Sequence, residues 1–119
     1  MRQLESQEQQ ALFRWAAVME KSMPILQLLH SIPNGGKRDI WTAARLKAEG
    51  VKAGVSDIFL PVANNGYYGL YIELKVRGGK LSDRQKWWIE STMAQGYLSV
   101  VCMGWEAAAE EILRYLERG

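Results

Sequence analysis

The chain is short of the residues on which many sites are built. Of its 119 residues one is cysteine, Cys102, and one is histidine, His30. A single thiol cannot close a disulfide within the chain, and one Cys with one His cannot form a Cys-cluster or His-rich metal site. A reducing compartment is the expectation. No apolar run approaches the ~20 residues of a membrane span. The polar opening MRQLESQEQQ lacks the apolar stretch of a signal peptide, so none is expected. A net excess of either charge is nearly missing as well. The 15 Lys+Arg stand against 13 Asp+Glu, a net of +2, whereas nucleic-acid binders usually carry a strongly basic footprint.

What is present is ordinary globular material, 48% hydrophobic and 24% charged. The length fits one domain over residues 1–119, and no repeat or low-complexity tract divides it. Apolar residues at helical spacing (Leu4, Leu12, Trp15, Ala16, Met19) predict a helix over 4–20, which Pro24 bars from continuing. Residues 25–32 are short and apolar, compatible with strand or helix, and Pro33-Asn34-Gly35-Gly36 breaks the chain. Residues 40–49 read as a helix stopped by Gly50. Strands are expected over 55–63 and 67–76, joined by the hairpin-type turn Asn64-Asn65-Gly66. Pro61 marks the first strand as an edge or as bulged. Ser82 caps a helix over 83–95, residues 97–102 read as a buried strand, and 105–117 as an amphipathic helix. Strand, helix and strand from 67 to 102 should form a right-handed crossover with a parallel pair. The expected class is α/β, a mixed β-sheet with flanking helices.

Chemistry is concentrated on one strand, Tyr71-Ile72-Glu73-Leu74-Lys75-Val76. Side chains alternate, so Ile72, Leu74 and Val76 point to a core while Glu73 and Lys75 share the opposite face. With the hairpin centred on Asn65, the partner of Glu73 is Asp57. Directly opposed residues share a face with Cβ atoms about 4.5–5.5 Å apart. Two carboxylates so placed repel unless a cation lies between them. Mg²⁺ suits such a pair, since it keeps several waters and is commonly held by one or two carboxylates plus a substrate phosphate. A one-residue slip would move Asp57 to the other face. By itself, Glu-x-Lys in a strand is a common solvated charge pair.

The basic residues are clustered. Residues 35–54 carry Lys37, Arg38, Arg45, Lys47 and Lys52 against Asp39 and Glu49, a net of +3. Residues 75–86 carry Lys75, Arg77, Lys80, Arg84 and Lys86 against Asp83, a net of +4. Both stretches flank the acidic pair and contain glycine turns that let a backbone approach a phosphate. The near-neutral total therefore fits a basic groove around acids that hold metal. Other residues are less telling. His30 lies in an apolar run and Cys102 ends one, so both read as structural. Trp15, Trp41 and Trp105 sit on apolar stripes. Trp87 and Trp88 cannot both face one core, and Tyr67-Tyr68 at the hairpin tip could stack on an unpaired base.

Six segments together resemble the VRR-NUC (virus-type replication-repair nuclease) domains of the PD-(D/E)xK nuclease superfamily, with the small stand-alone phage and bacterial members most similar. They are Glu5-x-x-x-Gln9, Ile32-Pro33-Asn34-Gly35-Gly36-x-Arg38, Ala44-Arg45-Leu46-Lys47-x-Glu49-Gly50, Gly54-Val55-Ser56-Asp57, Ile72-Glu73-Leu74-Lys75 and Gly79-x-Leu81-Ser82-x-x-Gln85. Ser56 stands where the superfamily name has proline. The resemblance implies a restriction-endonuclease-like core and a Mg²⁺- or Mn²⁺-dependent DNA endonuclease. It assigns Asp57 and Glu73 as metal-binding carboxylates, the peptide carbonyl of Leu74 as a further ligand and Lys75 as the motif lysine. Gln85 becomes a helix glutamine near the site, and Glu5 a first-helix acid that reaches the metal through water, with Glu8 as its competitor. Lys37, Arg38, Arg45, Lys47, Arg77 and Lys80 are the expected DNA contacts. Stand-alone members are linked to branched DNA, including four-way (Holliday) junctions, and to homodimers. No membrane and no organic cofactor is implied. The competing reading is a non-catalytic DNA-binding module on the same fold.

Overall fold

A computed structural model describes residues 2–33 and 39–117. In chain order the elements are α1 (Arg2–Met19), a 3-10 turn (Pro24–Leu28), β1 (His30–Ser31), α2 (Ile40–Ala48), β2 (Ile58–Leu60), β3 (Leu70–Lys75), α3 (Asp83–Ala94), β4 (Leu98–Met103) and α4 (Trp105–Glu117). The ambiguous stretch 25–32 thus resolves into the 3-10 turn, with Pro24 at its start, and the two-residue β1.

The sheet runs β1-β2-β3-β4. β2 is antiparallel to both β1 and β3, and β3 is parallel to β4 across the α3 connection. α1 and α4 pack on one face. Leu12 and Ala16 from α1 meet Ile58, Leu60, Leu70, Ile72, Leu74 and Cys102 from the sheet, and Ala108, Ile112 and Tyr115 from α4. Burying each large aliphatic side chain contributes roughly 1.5–3 kcal/mol, so this layer dominates stability. α3 covers the other face, where Thr92 Oγ1 meets Ser99 Oγ at 2.6 Å and Trp88 packs edge-on against Tyr71.

α4 is anchored at both ends by distant residues. Its first amide, Trp105 N, donates to Glu8 Oε1 at 2.9 Å. Asn64 Nδ2 donates to the carbonyls of Tyr115 and Leu116 at 2.8 and 3.2 Å. These bonds satisfy helix-end groups that have no partner within the helix.

The hairpin is shorter than its sequence pattern suggested. Continuous pairing covers only Ile58–Leu60 against Leu70–Ile72, because Pro61 has no amide to continue the ladder. At the tip, Asn65 (φ 53°) and Gly66 (φ 84°) both take left-handed conformations, as a primed two-residue turn requires. Asn64 bridges to Tyr67 there. Between the tip bridge and the Leu60–Leu70 pair, three residues on one side (61–63) oppose two on the other (68–69). The tip register alone would aim Asp57 at Leu74. The extra residue beside Pro61 shifts the strands by one position, so that Ile58 pairs with Ile72 and Asp57 comes opposite Glu73.

Two further expectations are corrected. β4 is an edge strand and is only alternately buried, with Val101 and Met103 exposed on the α3 side and Cys102 inside. Its apolar run misled because the sheet ends there. Trp41, expected on a buried stripe, is largely exposed, since α2 has no buried residue.

Candidate active site

Glu73 sits mid-strand on the α3 side of β3, almost completely enclosed, with Lys75 nearly as buried beside it. A charged pair so deep in a sheet is unusual and needs partners. Glu73 Oε2 has two: Lys75 Nζ at 3.5 Å and Gln85 Nε2, which donates at 3.2 Å. No protein N–H or O–H donor reaches Glu73 Oε1, although it is buried. Across the strands, Asp57 Oδ2 accepts from the main-chain amide of Leu74 at 2.9 Å, which holds this carboxylate against the β3 backbone. Burial, reinforced by the negative charge of Asp57 and by a hydrogen bond between the two carboxyl groups, pushes the Glu73 carboxyl up to about 8, and the Lys75 ammonium opposes that rise only in part.

The carboxylates open into a cleft of about 660 Å³. Glu5 and Gln9 of α1, Pro33, Gly54, Lys80, Ser82 and Gln85 contribute to its walls. Leu74 also lines it. Its side chain belongs to the core on the other face of the sheet, so it reaches the cleft through its main chain. Gly54 allows the wall to close. At φ 87° it lies so near α3 that a Cβ would stand 2.7 Å from the Arg84 backbone.

Gln85 joins two functions. It is the third residue of a capping box in which Ser82 Oγ accepts from Gln85 N at 3.1 Å and Gln85 Oε1 accepts from Ser82 N at 2.9 Å. Its amide nitrogen is then free to reach Glu73. The Ser-x-x-Gln spacing was visible in the sequence; the use of its amide across the sheet was not. The structure also separates the two first-helix acids. Glu5 lines the cleft, while Glu8 is committed to Trp105 N.

Asp57, Glu73, Leu74, Lys75, Gln85, Glu5 and Lys80 therefore come together in one cleft. Arg45, Lys47 and Arg77 are exposed outside its walls, with Arg45 paired to Glu49 at 3.6 Å. Lys37 and Arg38 lie outside the described residues. Tyr67 packs toward Tyr115, with ring centres 6.4 Å apart, while Tyr68 is exposed beside Gly96. Trp87 is half exposed under the Arg84 guanidinium, 4.4 Å from the ring centre.

Among the described residues no group of three or more His, Cys, Asp or Glu side chains forms a metal cluster. The donors present are two adjacent carboxylates, one with a buried oxygen that no protein N–H or O–H donor reaches, and a main-chain segment in the same cleft. That set fits a hard divalent cation that retains waters and does not fit zinc.

The fold is a mixed α/β sheet flanked by helices, with a carboxylate pair and a lysine in a polar cleft. The VRR-NUC domain family matches residues 1–106, and the chain belongs to that family. A solved structure described as a VRR_NUC domain protein superposes with a TM-score of 0.82 at 28% identity, covering 97% of this chain and 89% of that one. No curated protein matches the chain. Membership makes the chain a nuclease-type, DNA-processing module of a kind that generally uses divalent metals. Among the described residues no helix is long and apolar enough to cross a membrane.

Proposed function

We propose that the chain is a Mg²⁺- or Mn²⁺-dependent, structure-selective DNA endonuclease that hydrolyses phosphodiester bonds in branched DNA, four-way junctions included. A bound ion supplies Lewis-acid charge neutralisation at the scissile phosphate. Asp57, Glu73 and the Leu74 carbonyl would hold the ion, and Glu5 would reach it through water. Lys75 orients the attacking water or offsets charge developing on phosphorus. Gln85 occupies Glu73 Oε2 and so leaves Oε1 available. Lys80 at the cleft and Lys37, Arg38, Arg45, Lys47 and Arg77 around it bind the phosphate backbone. The chain works as one domain, in the cytoplasm of a bacterial or phage-infected cell. A homodimer with two-fold symmetry offers two such sites to the paired strands of a junction.

The observation that carries this reading is the close pair of carboxylates, Glu73 and Asp57, with Glu73 Oε1 buried and offered no protein N–H or O–H donor. A domain that only bound DNA would have no use for two carboxylates in a phosphate-binding cleft. The test is a cleavage panel of duplex, flap, splayed-arm and four-way substrates with Mg²⁺, Mn²⁺ or EDTA. The proposal expects metal-dependent cutting of branched substrates, abolished by Glu73→Ala and by Lys75→Ala in folded protein. Undiminished cutting by Glu73→Ala overturns the site assignment.

A further inference from the structure

α2 is built as a helix without a core. None of its residues is buried, yet its two leading side chains are large and apolar, with Ile40 78% and Trp41 83% exposed. A nine-residue helix is marginal without packing. Local devices hold this one. Asp39 caps the start by accepting from Thr42 N and Thr42 Oγ1, both at 2.8 Å. Gly50 at φ 102° ends it, with Gly50 N and Val51 N donating to the carbonyls of Lys47 and Leu46. The helix is thus kept formed while its apolar end stays uncovered.

Its place in the chain points to what covers that end. The chain leaves the wall of the carboxylate cleft at Pro33 and rejoins it at Ala53 and Gly54, so α2 is an excursion from the rim of that cleft. Its charge leans positive, with Arg45, Lys47 and Lys52 against Asp39 and Glu49 over residues 39–52. Glu49 is paired with Arg45, while among the described residues no ion pair engages Lys47 or Lys52. A second copy docking isologously on α2 would bring these cations against their own equivalents. A nucleic-acid strand meets both the charge and the apolar end, because an open indole face stacks on any base lifted out of a duplex.

We propose that α2 is a DNA-gripping arm on which Trp41, supported by Ile40, stacks on an unstacked base of the strand entering the cleft. The arm gives preference for DNA whose bases are unpaired or splayed, as at a branch point. This rests on the nuclease reading of the cleft and adds a specificity determinant to it.

The test is binding of fluorescently labelled DNA by anisotropy in EDTA, so that no cleavage intervenes. Splayed-arm DNA and blunt duplex of equal length are compared over a salt series. Trp41→Ala, at an exposed position, should keep the wild-type melting curve. It should weaken splayed-arm binding by about tenfold, change duplex binding by less than about twofold, and leave the salt dependence unaltered, because stacking releases no counterions. Trp41→Phe should restore most of the affinity. Equal affinities of wild type and Trp41→Ala for splayed-arm DNA, or equal weakening on both DNAs, overturn the arm. A fall in mass by light scattering on Trp41→Ala also overturns it, by assigning Trp41 to a contact between copies. Wild-type protein that binds neither DNA also overturns the arm, whereas the nuclease reading, whose metal EDTA withholds, stands or falls separately on the cleavage panel with Mg²⁺ or Mn²⁺.

Discussion

Gln85 donates from Nε2 to Glu73 Oε2 at 3.2 Å while its Oε1 accepts from Ser82 N at 2.9 Å. One side chain therefore fixes both the start of α3 and the orientation of a buried carboxylate on β3. Removing it has two consequences that can be separated.

Gln85→Ala loses half of a capping box and one hydrogen bond to Glu73, which together cost about 1–3 kcal/mol. It should also slow cleavage, because Glu73 is no longer held. Ser82→Ala loses only the cap, should cost about 1 kcal/mol, and should leave the cleavage rate close to wild type. Chemical denaturation paired with single-turnover cleavage checks both. Equal rates for the two variants would show that Gln85 matters to the helix alone.

Glu5 and Glu8 lie a turn apart on α1 and should behave as opposites. Glu8 caps α4 through Trp105 N at 2.9 Å, so Glu8→Ala should destabilise by about 1 kcal/mol with cleavage retained. Glu5 lines the cleft, so Glu5→Ala should leave the melting temperature unchanged and reduce metal-dependent cleavage. The two melting curves and the two cleavage rates decide it.

Stability of the metal-free protein should depend on pH through Glu73. Burial and the charge of Asp57 raise its carboxyl from an ordinary 4.5 to about 8 in the folded chain. The folded state thus holds this proton more tightly than the unfolded state. The associated stability is complete below about 4.5 and is lost as pH rises towards about 8. In EDTA, Glu73→Gln, which mimics the protonated acid, should show a flatter stability profile across that window. Asp57→Asn should lower the Glu73 carboxyl and stabilise the metal-free protein near neutral pH, while abolishing cleavage. Denaturation midpoints measured from pH 5 to pH 8 test these signs; a wild type that gains stability against Glu73→Gln as pH rises contradicts them.

Much of this site was legible in the sequence because strand periodicity and turn chemistry are local rules. Glu73 and Lys75 share a face by alternation, and Asp57 faces Glu73 in the register that a turn centred on Asn65 implies. The agreement hides a compensation. The tip is centred between Asn65 and Gly66, and one extra residue beside Pro61 restores the strand register. The choice between Glu5 and Glu8 was not legible, since both lie near one helical stripe and only the arrival of Trp105 separates them. The exposure of Trp41 and of Val101 and Met103 was hidden for a similar reason. Apolar periodicity states that a face wants cover and does not state whether the fold supplies it.

Whether Asp57 and Glu73 form a divalent-metal site is tested by Mn²⁺ binding in titration calorimetry at pH 8 without DNA. Wild-type protein should bind Mn²⁺ with release of protons, because the metal displaces the proton that Glu73 holds up to about 8. Glu73→Gln, folded as judged by circular dichroism, should show no such binding. Equal Mn²⁺ affinity and equal proton release in the two proteins would contradict a metal site at Glu73.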